Sequence, residues 1–433
     1  MKNIFLFILL LFSYSFPQNV NIESYRLKNG MKVILGEDHR VPSICVNIFF
    51  NVGGKYEKPG TTGISHLFEH MMFNGSKKYK PGYFDQFLEE NGGYSNGSTW
   101  NDFTNYWEEF NSEKLEEILA MEADRVRSLK LDNENLEQER YIVMEERRLS
   151  VDNNPDQKLE EELYALAFNS HPYQNPVIGW MNDLKQIQLD DCKEFYKSYY
   201  APNNATLIII GDFNKQTTKK LIEKYFSKLP SSKIPINKTI VEPEQSGEKQ
   251  IIIDANTELP SILIGYKSCS INDSDYYAMD LLANILSVGE SSRFNKILVN
   301  QKEMITKHYC IQDITQEPGL FKVYFKLQKK VKEEDLLNEF EKIIQDIKEN
   351  GVTQNELEKA KNFKVIEYFN NFKTNRKLAF ALGFFEVLTG NYENLYKTID
   401  RYSKVDSEKI KEVARKYFTN KSRTIAKTQI KSN

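Results

Sequence analysis

Two histidines and a glutamate fall within one stretch of five residues: positions 63–75 read GISHLFEHMMFNG. His66 and His70 are four apart, so a helix projects both from one face. That spacing lets two imidazoles reach one zinc ion. Glu69 stands between them, where a carboxylate beside the metal can take a proton from water. This is the inverted zinc-peptidase pattern H-x-x-E-H. Thr61 and Thr62 are placed to cap the start of such a helix, and Asn74-Gly75 to end it in the left-handed region. The chain has only five histidines, so two in one turn are a concentration. The competing reading is a pair of ordinary histidines on an amphipathic helix.

A catalytic zinc needs a third protein ligand and keeps one position open. The helical pattern over 135–149 supplies candidates. Glu139 and Glu146 are seven apart, two turns along one face, whereas Glu145 points elsewhere. Spacing alone does not choose between Glu139 and Glu146. A solvated, charge-laced helix is the plain alternative, which Arg140, Arg147 and Arg148 also suit.

The elements that must carry these residues are read from patterning. A chain of 433 residues predicts two to three domains, each able to bury a core. At 40% hydrophobic and 27% charged, the composition argues against disorder. A net charge of −3 leaves no basic excess for phosphates, so nucleic acid is not expected as a partner. Residues 1–18 read as a cleaved secretory signal: Lys2 is the positive start, Ile4 to Phe12 is apolar, and small residues follow. The mature chain is then expected outside the cytoplasm, periplasmic or secreted, with no integral membrane segment. Cys45, Cys192, Cys269 and Cys310 show no ligand spacing and read as mostly buried thiols.

An internal repeat organises the rest. MKVILGEDHRVPSICV (31–46) matches KQIIIDANTELPSILI (249–264), aligning Pro42 with Pro260. Phe195–Tyr200 resembles Val413–Phe418 at the same offset of 218 positions. Two copies of one domain are therefore expected. The first spans 19–230, a proline-bearing linker 231–246, and the second 247–433. Lys32–Leu35, Ile44–Phe50 and Thr206–Ile210 read as strands, and Glu113–Ser128, Asn135–Leu149 and Leu189–Tyr200 as helices. Strands flanking a helical middle predict an α+β fold, with helices on one face of a sheet.

Over nearly its whole mature length the sequence resembles the insulinase/pitrilysin family of zinc metallopeptidases, in the short branch that includes mitochondrial processing peptidase and its bacterial relatives. In that family a glutamate ligand follows the histidines inside a segment like E-R-x-x-V-x-x-E, which Glu139–Glu146 matches. The resemblance implies Glu146 as the third ligand and Glu139 as a residue orienting a ligand histidine. Gly92–Thr99 with Asp102, Thr104 and Tyr106 resembles a family strand to which substrate adds, implying Asn96, Gly97 and Thr99 as substrate-binding. Gly97 replaces the family's alanine. His171 belongs to a further family-like stretch and reads as structural.

The positions equivalent to His66, Glu69 and His70 are Asn284, Ser287 and Val288, so the second copy is expected to be metal-free. In the family the degenerate half closes over the active half like a clamshell, and often carries an arginine and a tyrosine that hold substrate. Ser291-Ser292-Arg293 resembles the arginine segment, but Thr306 stands where the tyrosine is expected. The resemblance thus implies a zinc endopeptidase for peptides or unfolded segments. It also implies the zinc-bearing chain of a heterodimer with a homologous partner, with a homodimer or a clamshell monomer that uses Arg293 alone as the alternatives. A dedicated processing enzyme for one precursor and a non-catalytic subunit are the competing functions.

Overall fold

A computed structural model describes residues 20–235 and 240–430; the signal-like segment 1–18 lies outside them. Its first sheet comprises β1 (Asn21–Arg26), β2 (Lys32–Glu37), β3 (Ser43–Phe50), β4 (Tyr94–Thr99), β5 (Thr104–Asn111) and β6 (Ala205–Gly211). The helices of the same half are α1 (Ile64–Met71), α2 (Tyr83–Glu90), α3 (Leu115–Ser128), α4 (Asn133–Arg147), α5 (Pro155–Ala167), α6 (Met181–Gln186), α7 (Leu189–Tyr199) and α8 (Lys215–Phe226). The second sheet holds β7 (Lys249–Ala255), β8 (Ser261–Lys267), β9 (Ile305–Gln312), β10 (Leu320–Leu327) and β11 (Arg423–Ile430). The second half also holds α9 (Tyr276–Ser287), α10 (Glu333–Asn350), α11 (Gln354–Asn370), α12 (Asn375–Thr389), α13 (Thr398–Ser403) and α14 (Ser407–Tyr417). The protein is an α+β molecule of two mostly antiparallel sheets with helices.

Strand order is β1-β2-β6-β3-β5-β4 in the first sheet and β7-β11-β8-β10-β9 in the second. Removing β1 leaves the same order in both, including one parallel pair each, β2 with β6 and β7 with β11. β4 and β9 are the matching edges. The four cysteines are free and buried.

Both faces of each sheet are covered, and this goes beyond the one-faced packing read from the sequence. Alternate residues of a strand point to opposite faces. On β3, Ile44, Val46, Ile48 and Phe50 join the core of α1, α3 and α4. Cys45 and Phe49 instead join the core that contains α12. β6 divides likewise, Leu207 and Ile209 on one side and Ile208 and Ile210 on the other. In return, Leu159, Leu163 and Ala167 of α5 cover Leu263, Tyr324 and Ala426 of the second sheet. Since α5 and α12 are equivalent in the repeat, the halves exchange matching helices. The tethers match as well: Asn375 donates to the Ser43 carbonyl at 3.1 Å, and Ser261 donates to Asp156 at 2.9 Å.

The exchange corrects one expectation. The second half meets the first sheet on the face opposite α1, so it does not close over the histidine-bearing helix. Gly383 of α12 marks how closely the halves approach: a Cβ there would lie 2.1 Å from the fully buried Phe49 ring. Gly383→Val should therefore destabilise the protein by about 1–3 kcal/mol through overpacking. A denaturant midpoint equal to that of the parent would show that the halves are not joined there.

Candidate metal centre

The two chemical helices are held by residues remote in sequence. α1 starts at Gly63 in the left-handed region (φ 85). Gly179 lies against it, also left-handed, and a Cβ on Gly179 would sit 2.4 Å from the Thr62 carbonyl oxygen. Only glycines fit back to back in this way. Neither threonine caps the helix as its position suggested. Thr62 instead donates its hydroxyl to Asp183 at 2.6 Å. Glu57 takes the capping role: its carboxylate accepts from the backbone N–H of Gly63 and of Ser65, each at 2.8 Å. Burial pushes Glu57 up to about 8, so its oxygens serve here as hydrogen-bond acceptors rather than as a fixed charge. Nor do Asn74 and Gly75 end the helix, which stops at Met71.

α4 is capped by Asp132, which accepts from the Asn135 N–H. It runs into one π-helical turn, Arg148–Asp152, and crosses α1. The crossing gathers His66, His70 and Glu146: one ligand atom from each lies within 4.8 Å of the others. Among the described residues this is the one such cluster. Glu146 oxygens stand 3.7 Å from His66 Nε2 and 3.4 Å from His70 Nε2. Bonds of about 2.0–2.1 Å to a tetrahedral zinc place neighbouring ligand atoms about 3.4 Å apart. The donor set and its spacing therefore fit zinc.

Glu139, two turns before Glu146, lies 3.3 Å from His70 Nδ1 and accepts from Asn74 at 2.8 Å. It therefore fixes the ring whose other nitrogen faces the centre. His66 Nδ1 is buried with no such partner. Glu145 is tied to Arg148 instead. Burial pushes His66 down to about 4. Burial also opposes the charged form of His70, but Glu139 and Glu146 outweigh it and raise His70 to about 9. The histidines thus differ in protonation, and metal binding would release the His70 proton.

Glu69 is partly buried, which raises its pKa, and accepts from the Thr99 hydroxyl at 2.5 Å. Thr99 closes β4, so the edge strand and the acid–base candidate touch directly. Gly97 makes the second contact: a Cβ there would stand 3.0 Å from Glu69 Cγ. β4 pairs only with β5, leaving its other edge without a strand among the described residues. Asn96 accepts from the Gly97 N–H at 2.8 Å. A cavity of about 390 Å³ opens beside it, lined by Phe73, Asp85, Leu88, Glu89, Tyr94, Ser95 and Asn96. Gly97→Val should displace Glu69 and lower kcat/KM by about 10²-fold, the usual effect of a shift near 1 Å. Peptide hydrolysis at the parent rate would show that Glu69 is not confined by β4.

Arg293 is not among the residues brought together here. It pairs with Asp346 and Glu356 and donates to the Gly351 carbonyl, all in the second half. Thr306 lies on β9, and His171 is a buried partner of Glu317 at 2.8 Å.

Known proteins share this arrangement of two sheets over most of the chain. Residues 32–180 match the family model described as insulinase (peptidase family M16), and 186–363 match the peptidase M16 inactive domain. The chain belongs to the insulinase family, M16. It is 31% identical to a Helicobacter pylori protein named zinc protease PqqE, over 82% of this chain and 81% of that one. It is 23% identical to the mitochondrial-processing peptidase subunit beta of Lentinula edodes, over 95% and 91% of the two chains. The crystal structure of a Helicobacter pylori protease superposes with a TM-score of 0.89 at 28% identity, covering 94% of this chain and 99% of that one. No helix among the described residues is long and apolar enough to cross a membrane.

Proposed function

We propose that this chain is a zinc metalloendopeptidase for peptides or unfolded segments. His66, His70 and Glu146 would hold one zinc per chain. When bound, zinc supplies Lewis acidity and makes a water acidic enough to lose a proton near neutrality. Glu69 takes that proton and returns it to the leaving amine. Thr99 holds the Glu69 carboxylate in place for both transfers. The open edge of β4 takes the peptide as an added strand, which recognises backbone rather than one sequence. The neighbouring cavity receives one side chain of that strand. Residues 19–230 form the catalytic domain and 247–433 its metal-free homologue.

The observation that carries this reading is the approach of Glu146 to both histidines from a second helix. With the second half on the opposite face of the first sheet, enclosure of substrate falls to another chain. We therefore infer the zinc-bearing subunit of a dimer, as the relative named a beta subunit also suggests. An extracytoplasmic location follows from the signal-like segment 1–18.

The test is metal analysis and hydrolysis of an unstructured peptide library by the purified full chain. Activity should vanish with a zinc chelator and return with added zinc. A metal-replete chain that leaves every peptide intact, alone and with a homologous partner, would refute the proposal.

A further inference from the structure

The residue after the third candidate ligand is a buried arginine with an unusual set of partners. Arg147 is 3% exposed. Its Nη1 donates to Glu161 Oε2 at 2.7 Å and to the Gly179 carbonyl at 2.8 Å, and its Nη2 donates to Glu161 Oε1 at 3.0 Å. Asp152, in the π-helical turn, lies 3.4 Å from Nη2. The guanidinium also faces the Trp180 ring at 5.7 Å.

These partners belong to the parts that must keep register at the centre. Arg147 is fixed to Glu146 through one peptide bond. Gly179 packs against Gly63, where α1 begins, one turn before His66. Glu161 lies on α5, the helix that covers the second sheet. One planar fork therefore joins the helix bearing Glu146, the start of the helix bearing both histidines, and the element exchanged with the second half. Lysine cannot reproduce this, because it offers one point charge in place of a rigid fork.

We infer that Arg147 is a positioning residue that sets the separation of Glu146 from His66 and His70, and that it ties this separation to the packing of α5 on the second half. The inference rests on the zinc reading above. Glu161 also accepts from Lys158 at 2.6 Å, and Lys158 has Glu162 as a second partner; because removing one member of a buried pair leaves the other charge poorly compensated, two variants are compared. R147M/E161M removes both charges at similar volume, and R147K keeps a charge for Glu161. Zinc affinity is read by chelator competition, beside the thermal midpoint of the metal-free protein. Both variants should fold with a midpoint near the parent value and bind zinc about ten- to hundred-fold more weakly, as when support to metal ligands is lost. Parent-like zinc affinity in either folded variant overturns the inference, because Arg147 would then serve the fold alone. Failure of both variants to fold overturns it for the same reason. If the parent itself binds no zinc, it is the functional reading that fails.

Discussion

Glu69→Gln should keep its zinc and lose peptide hydrolysis by about 10²–10⁴-fold in kcat, the range associated with a positioned general base. The amide is nearly isosteric, and its oxygen still accepts from Thr99. No Glu69 atom belongs to the converging set of His66, His70 and Glu146. Metal content should therefore match the parent while turnover falls. KM should change little, because the lost interaction acts on a proton that moves only in the transition state. The pair of measurements is decisive. Normal turnover would remove Glu69 from the chemistry. Lost zinc would show that its carboxylate supports the centre itself.

The parts of this molecule visible in its sequence were those whose partners are close along the chain. His66, Glu69 and His70 share one turn, so their geometry follows from helical periodicity. Glu139 and Glu146 share a face for the same reason, but which of them meets the histidines depends on how two helices cross. The start of α1 is held by Gly63 against Gly179 and by Glu57, contacts that helical periodicity does not reveal. Thr62 illustrates the competition. Its type suited a helix cap, but Asp183, remote in sequence, accepts its hydroxyl.

The exchange of α5 and α12 left a trace that periodicity alone undervalued. Leu207, Ile208, Ile209 and Ile210 run without a polar residue, and all four are fully buried. An unbroken apolar strand signals burial on both faces, not the one-faced packing expected here. Which helix covers the second face is a tertiary choice, since α12 packs on the sheet of the other repeat. Arg293 shows the reverse case. A short segment match marked it for substrate, while Glu356 and Asp346, both more than 50 residues away in sequence, claim its guanidinium.

The choice between glutamates is open to a direct experiment in which Glu146→Gln, Glu139→Gln and Glu145→Gln are compared for zinc affinity and turnover. Glu146→Gln should be the most damaging, because it removes the one carboxylate placed within ligand distance of both histidines. Zinc should then be lost to a mild chelator and hydrolysis fall below detection. Glu139→Gln should weaken zinc by about 10–100-fold, the usual effect of altering a group that orients a ligand histidine. Its amide can still accept from His70 Nδ1, but it no longer supports that ring with a negative charge. Glu145→Gln should be almost silent, since its partner Arg148 is a half-exposed residue three positions on, in the turn that follows α4, and such largely solvated pairs contribute about 0–1 kcal/mol. The order matters more than any single value. If Glu139→Gln lost more zinc than Glu146→Gln, the ligand would be the earlier glutamate, and α4 would have to slide by two turns relative to α1. Equal, small effects from all three would mean that no carboxylate of α4 binds the metal.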